Sequence, residues 1–213
     1  MEARENTLVS RPSNFFTMLC VASLTSVLQA QLLTIPEALA KAGRSLSSGP
    51  SVPSGPAPSI DQVLAETDLI VRGVLGEPTT RLSDDQMEVY TEYPLRNAVI
   101  RYNAISNGMP AARPSSLLVT VLGGTFIING LTFKSVHGAL GLLQPGAEYL
   151  LLLRSVGNRY FLAAEYYGAF QVVGSTATNH VQKRGFAEEL NGKPVAQVEQ
   201  TLLARIRAAH AVR

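Results

Sequence analysis

Tyrosines and carboxylates are the residues of this sequence best suited to bind a ligand. Five tyrosines fall in segments that could adjoin, at positions 90, 93, 102, 166 and 167. On the face of a small barrel, tyrosine rings can stack on bases or sugars. The simpler interpretation is that they fill the core and its rim, with each hydroxyl reaching water. The residues that we predict to contact a ligand are Glu88, Tyr90, Glu92, Tyr102 and Tyr166.

Three of these residues share one face of a predicted strand. Residues 86–93 alternate, with Met87, Val89, Thr91 and Tyr93 on one side and Gln86, Glu88, Tyr90 and Glu92 on the other. This period of two predicts a half-exposed antiparallel strand. Its outer face would be acidic and would carry Tyr90. The preceding Ser83-Asp84-Asp85 predicts a turn, and it lacks the pattern of a calcium loop.

No sequence pattern indicates catalysis, a metal or a cofactor. The three histidines, His137, His180 and His210, lack the partner spacing of a metal site. The sequence holds no Gly-x-Ser-x-Gly elbow, no phosphate-binding loop and no dinucleotide fingerprint. We therefore predict no catalytic residue, no metal and no cofactor. The rival class is a hydrolase that uses carboxylates or His137, with Glu165 as one candidate, because a carboxylate pair can be distant in sequence.

The N-terminus resembles an export signal. Residues 15–28 are uncharged and largely apolar, a length of about 14 that suits a signal peptide and is too short for a membrane span. Cleavage after Ala30 would leave residues 1–30 as a signal peptide and remove Cys20, the only cysteine. The mature domain, exported to the periplasm or the medium, would then contain no disulfide. An uncleaved anchor is the alternative, and it is the only membrane contact that we expect.

The rest of the chain divides into a spacer and one domain. Residues 31–60 predict a short helix, capped by Thr34 and ended by Gly43, and then a disordered Gly/Ser/Pro-rich tether over 43–59. Residues 61–213 are long enough for a domain with a real core. The net charge of +2 gives no electrostatic reason to expect nucleic acid.

Residues 61–213 predict short strands and one helix. Gly73 and Gly123-Gly124 indicate bulges or bends within strands, and Asn129-Gly130 is a hairpin signal. The unbroken apolar run at 149–153 predicts a central strand covered on both sides. Residues 194–210 predict an amphipathic helix, whose apolar stripe is Val195, Val198, Leu202, Ile206 and Ala209. The fold class is mainly β: a small, partly closed antiparallel barrel with a C-terminal amphipathic helix.

Four segments carry a resemblance to a known family. They are Asp68-Leu69-Ile70-Val71-Arg72-Gly73-Val74-Leu75, Val119-Thr120-Val121-Leu122-Gly123-Gly124, Gln144-Pro145-Gly146-Ala147-Glu148-Tyr149-Leu150-Leu151-Leu152-Leu153 and Gly168-Ala169-Phe170-Gln171-Val172-Val173. In this order they resemble a family of exported bacterial domains of unknown function. The resemblance implies an oligonucleotide/oligosaccharide-binding (OB) barrel and no reaction. More distantly, the outline resembles the netrin-like barrel of metalloproteinase inhibitors, whose N-terminal cysteine has no counterpart here.

The sequence therefore favours a non-enzymatic exported binding module. The expected partner is a protein segment or a cell-envelope glycan, held by the outer face around Glu88, Tyr90 and Glu92. The hydrolase remains the alternative, and a structural spacer for an envelope complex is a third class.

Overall fold

Five strands close into a barrel in this computed structural model, which describes residues 33–51, 57–105, 117–137, 143–179 and 188–211. The predicted signal peptide, residues 52–56 of the predicted tether, and His180 lie outside the described residues. Within the described ranges, no helix combines the length and the apolar character needed to cross a membrane.

Three helices and twelve strands make up the described fold. The helices are α1 (Ile35–Ala42), α2 (Ile60–Ala65) and α3 (Val195–Ala211), and Glu165–Gly168 forms a 3-10 turn. The strands are β1 (Leu46–Ser51), β2 (Leu69–Leu75), β3 (Thr79–Leu82), β4 (Val89–Asn103), β5 (Leu117–Leu122), β6 (Gly124–Ile128), β7 (Leu131–His137), β8 (Glu148–Val156), β9 (Arg159–Leu162), β10 (Ala169–Val173), β11 (Thr176–Thr178) and β12 (Lys193–Pro194).

The barrel strands pair in the cyclic order β2-β4-β5-β9-β8, and β8 returns to β2. The predicted small OB-like barrel with a C-terminal helix is thus confirmed, with two differences. The barrel is closed rather than partly closed, and one of its pairs, β5–β9, is parallel. Beyond the barrel, β10, β11 and β12 extend the sheet from β8.

The central apolar run forms β8, as the sequence predicts. Tyr149, Leu150, Leu151, Leu152 and Leu153 are all at most 1% exposed. The strand pairs with β2 on one side and with β10 and β9 on the other. Because successive side chains point to opposite faces, its burial requires cover on both faces, and residues of α2 and α3 belong to the same apolar cluster.

The C-terminal helix α3 contacts α2 and strands β4, β11 and β12. Val195, Val198, Leu202 and Ile206 of the predicted stripe are buried, whereas Ala209 is exposed near the helix end. Glu199 also lies on the buried side. Its carboxylate is 3.2 Å from Arg101 Nε and 3.8 Å from Arg72 Nη1, so ion pairs link α3 to β4 and β2.

The tether prediction is wrong for residues 46–51. They form β1, which runs parallel to β7, and β6 completes this second sheet. Thr132 N donates to Ser45 Oγ at 3.1 Å, and Ser48 Oγ donates to Ser135 Oγ at 3.1 Å. β1 is an edge strand of this sheet, and edge strands tolerate Gly and Pro because one side of their backbone needs no ladder partner.

The irregularity predicted at Gly73 is confirmed, whereas Gly123-Gly124 separates two strands instead of lying within one. The β2–β4 register shifts between Arg72 and Val74, and a Cβ on Gly73 would lie 2.8 Å from Arg96 O. At Gly123-Gly124 the chain passes from β5 of the barrel into β6 of the second sheet. Asn129 and Gly130 both have positive φ, 51° and 76°, as a type I′ hairpin turn requires.

Candidate functional site

The β3–β4 hairpin and its turn carry three of the predicted ligand residues, Glu88, Tyr90 and Glu92. Arg81 lies opposite Tyr90, and Leu82 lies opposite Val89. Because side chains alternate along a strand, Tyr90 and Glu92 share the outer face of the barrel while Val89, Thr91 and Tyr93 are buried. The predicted alternation of residues 86–93 is thus confirmed over β4.

The turn that joins these strands is held by Ser83. Its Oγ accepts hydrogen bonds from Met87 N at 3.1 Å and Glu88 N at 2.9 Å, and it donates to Asp85 Oδ1 at 2.5 Å. The Ser83 hydroxyl and the Met87 amide lower the pKa of Asp85. The predicted Ser83-Asp84-Asp85 turn is therefore confirmed, and it fixes where β4 begins.

Tyr90 is held by three neighbours. Its hydroxyl donates to Glu88 Oε2 at 2.8 Å, and its ring meets Phe161 edge-on, with the ring centroids 5.8 Å apart at 72°. The guanidinium carbon of Arg159 lies 5.3 Å from the Tyr90 ring centroid, within cation–π range. These three contacts restrict the orientation of the Tyr90 ring.

Glu92 lies between two arginines. Arg81 Nε donates to Glu92 Oε1 at 2.6 Å, and Arg159 Nε lies 4.0 Å from the same oxygen. Arg159 also donates to the exposed carboxylate of Asp84 at 3.3 Å. The predicted acidic face is thus a mixed one, with two arginines against the carboxylates of Asp84, Glu88 and Glu92.

We call this surface the Tyr90 face. It consists of Arg81, Glu88, Tyr90 and Glu92 of the hairpin and its turn, with Arg159 and Phe161 of β9. Below it lies Thr120 of β5, 1% exposed, opposite Glu92 on one side and Phe161 on the other. Thr120 Oγ1 and Arg159 Nε are buried and make no hydrogen bond within the described residues. Arg159 Nε nevertheless lies 4.0 Å from Glu92 Oε1, so the carboxylate of Glu92 balances its charge.

The structure separates Tyr102, another of the predicted ligand residues, from the Tyr90 face. Tyr102 stands near the far end of the 15-residue strand β4, opposite Ile70 of β2, and it packs against the main core. Burial, and secondarily the charge of Asp68, raises the pKa of its phenol. Tyr102 thus lies at the rim of the core, and its role in ligand binding stays a prediction. Tyr166 lies in the 3-10 turn, and its side chain is outside the described residues.

The sequence did not reveal Arg81, Arg159 or Phe161 as site residues. Because side chains alternate along a strand, Arg159 and Phe161 should share one face of β9, with Tyr160 on the other. Only the pairing of β9 with β5 brings that face beside β4, and no local pattern specifies this pairing.

The described part of the chain holds no group of three or more His, Cys, Asp or Glu side chains that could bind a metal ion. The side chains of His137 and Glu165, on which the hydrolase alternative depends, lie outside the described residues.

Comparison with protein-family models, curated proteins and solved structures finds no match for this chain. The family resemblance noted from the sequence therefore stays a prediction.

The hydroxyl of Tyr90 should lose its proton at a higher pH than an ordinary tyrosine hydroxyl. Burial, then the hydrogen bond to Glu88 and its charge, raises the pKa of Tyr90 above the ordinary 10.0. Well below pH 10.0 the phenol keeps its proton in both folded and unfolded chains, and its contribution to stability is fully present. That contribution is lost as the pH rises through the folded-state pKa. The difference between ultraviolet titrations of the wild type and Tyr90→Phe isolates this phenol, and a midpoint at or below 10.0 would contradict the burial argument.

Proposed function

We propose that this chain is an exported, non-enzymatic binding module that takes a cell-envelope oligosaccharide on the Tyr90 face. One observation carries the proposal. A closed five-stranded barrel places a fixed aromatic, arginine and carboxylate cluster on the outer side of its second and third strands, β4 and β5, with β9 beside them. Barrels of the OB type take oligonucleotides and oligosaccharides on this face.

Charge favours the oligosaccharide over the oligonucleotide. Grooves that follow a nucleic-acid backbone are positively charged, since phosphate contacts supply most of the affinity. Around Tyr90, two arginines are outnumbered by three carboxylates, and both arginines already lie against carboxylates. A ligand without backbone charge suits this surface, and its hydroxyl groups can both donate to the carboxylates and accept from the guanidinium groups.

Strand pairing disfavours an extended protein segment. Peptides that bind along sheets do so by adding a strand to a free edge. Over residues 90–92, β4 is paired with β3 on one side and β5 on the other, and β5 is paired with β4 and β9. The main chain beneath the Tyr90 face is thus already engaged, and recognition must come from side chains.

The contacts within the cluster reduce the cost of binding. Tyr90 is held by Glu88, Phe161 and Arg159, so little side-chain freedom remains to be lost when a sugar ring arrives. The location of the module outside the cytoplasm rests on the apolar, uncharged residues 15–28.

Titration with chitotetraose tests the proposal, because this soluble tetramer of β-1,4-linked N-acetylglucosamine represents an envelope glycan backbone. We expect wild-type amide resonances of β4, β5 and β9 to shift on titration. Tyr90→Ala should weaken binding about tenfold or more, since truncating a central aromatic contact costs at least about 1.4 kcal/mol.

Ile127→Ala is the matched control, because Ile127 is 65% exposed on β6 of the second sheet. It should leave the affinity unchanged. A thermal melt separates binding from folding: loss of one aromatic pair costs about 0.5–1.5 kcal/mol, a shift of only a few degrees. Shifts confined to other strands, or a Tyr90→Ala variant that binds as well as the wild type, would refute the site. Tighter binding of a thymidine oligonucleotide, or of an unstructured peptide, would refute the ligand class.

A further inference from the structure

We propose that residues 33–51, here called the N-terminal arm, hold the β3–β4 hairpin in its ligand-binding shape, so that docking of the arm and occupation of the Tyr90 face reinforce each other. This inference rests on the proposed function, because it assigns the regulation of the same site. It concerns a part of the chain that itself contributes nothing to the Tyr90 face.

The hairpin has two faces with different partners. Arg81 and Tyr90, opposite each other, point toward the Tyr90 face, and the next pair, Leu82 and Val89, points the other way. Val89 is 2% exposed and belongs to a small apolar cluster with Ile35 and Leu39 of α1. This cluster is separate from the main core of the barrel. The side of the hairpin that carries Leu82 and Val89 therefore packs in part against residues of the arm.

The arm also contacts the turn of the hairpin directly. Ile35 N donates to Gln86 O at 2.9 Å. Gln86 has φ 59°, a left-handed conformation that a non-glycine residue keeps only when its surroundings hold it. Gln86 lies between Asp84, which pairs with Arg159, and Glu88, which accepts from Tyr90. Release of the arm removes a restraint from the segment that carries both carboxylates.

The arm is lightly anchored compared with the barrel. Among its residues whose side chains are described, the buried apolar ones are Ile35 and Leu39. Its strand β1 is paired with β7 in a register that shifts between Ser48 and Ser51. Segments with few buried contacts open locally without global unfolding. The helix α1 keeps its own start, because Thr34 and Glu37 form a reciprocal capping box.

Coupling of this kind is reciprocal. Suppose that docking of the arm raises the affinity of the Tyr90 face for a saccharide by some factor. Binding of the saccharide must then raise the equilibrium constant for docking of the arm by the same factor. Two observables therefore report on one quantity: the affinity measured with the arm loosened, and the hydrogen exchange of the arm measured with the ligand bound.

Leu39→Ser in the full chain is the direct test, with Leu33→Ser as its matched control. Leu39 is 1% exposed in the arm cluster, whereas Leu33 is 39% exposed at the start of the same arm. In Leu39→Ser, amide exchange should accelerate about tenfold or more in α1 and in residues 82–90, while β8 keeps its protection. Chitotetraose affinity should fall about fivefold or more. Leu33→Ser should change neither quantity.

Thr34→Ala supplies a second variant, because it removes the helix cap and leaves every apolar contact of the hairpin in place. It should reproduce the same pattern at smaller amplitude. If α1 exchanges freely in either variant while residues 82–90 keep their protection, the inference is overturned. Fast exchange of the hairpin with unchanged chitotetraose affinity also overturns it. If the wild type binds no chitotetraose, the proposed function fails, and the exchange data still decide whether the arm supports the hairpin.

Discussion

Leu151→Ala is expected to lower the free energy of unfolding by about 2–5 kcal/mol, the range for truncating a fully buried leucine. Leu151 is 0% exposed. It lies opposite Val71 of β2 and Ala169 of β10, in the middle of the strand that joins the barrel to its extension. Leu151 is enclosed in the main apolar cluster, whose packed side chains can relax only partly into the cavity left by the truncation. Urea denaturation of both proteins gives the difference.

Leu118→Ala is the control for this measurement. Leu118 is 42% exposed on the outer side of β5, so the same truncation should change stability by no more than about 0.5 kcal/mol. Equal losses for the two variants would mean that β8 is not covered on both faces, and the barrel described above would be wrong.

Gly124→Ala is expected to destabilise the protein by about 2–6 kcal/mol, because it combines two separate costs. Gly124 has φ 142°, a backbone conformation that L-residues rarely adopt. A Cβ there would lie 2.5 Å from Thr91 Oγ1 and 2.8 Å from Thr80 Cγ2. Thr91 cannot easily withdraw, since it is 3% exposed and donates to Gly123 O at 2.7 Å.

Gly130→Ala separates the two costs. Gly130 also has positive φ, 76°, but a Cβ there would meet nothing within 4 Å. It should therefore cost only about 1–2 kcal/mol, the price of the left-handed conformation alone. Thermal and urea unfolding of both variants provide the comparison. A Gly124→Ala variant no less stable than Gly130→Ala would show that β5 and β6 are not packed against Thr91 and Thr80 as described.

The parts of the fold that the sequence predicts are those specified by local patterns. The apolar run at 149–153 identifies β8, Asn129-Gly130 identifies the β6–β7 turn, and the spacing of Val195, Val198, Leu202 and Ile206 identifies α3. Each is a periodicity or a turn preference that a short window contains.

What the sequence could not predict depends on partners far along the chain. The parallel β5–β9 pair closes the barrel through Val119 with Tyr160 and Thr120 with Phe161. Residues 46–51 have a disorder-like composition and nevertheless pair with β7 at the edge of the second sheet, a position that tolerates Gly and Pro. The burial of Glu199 follows from the positions of Arg72 and Arg101 on two different strands.

The candidate site also contains residues that a local pattern predicts and residues that only distant pairing brings together. Glu88, Tyr90 and Glu92 could be grouped from their alternation, and the structure does bring them together. The alternation could not predict the position of Tyr102. Strand β4 continues beyond the Tyr90 face before it reaches Tyr102, and its register against β2 shifts twice. Arg159 and Phe161 reach the Tyr90 face only through barrel closure.

The parallel pair between β5 and β9 also has a consequence for the order of folding. Thr120 cannot find Phe161 until the chain between them, which includes the second sheet and β8, has been synthesised and arranged. Pairing between strands that are distant in sequence slows folding relative to local pairing, because the entropy of loop closure is lost before the contact forms. Until it occurs, β5 has one unpaired margin that can pair with neighbouring chains. We therefore expect aggregation to compete with folding while β5 is unpaired on this side, and variants that weaken β9 should lower the soluble yield on expression.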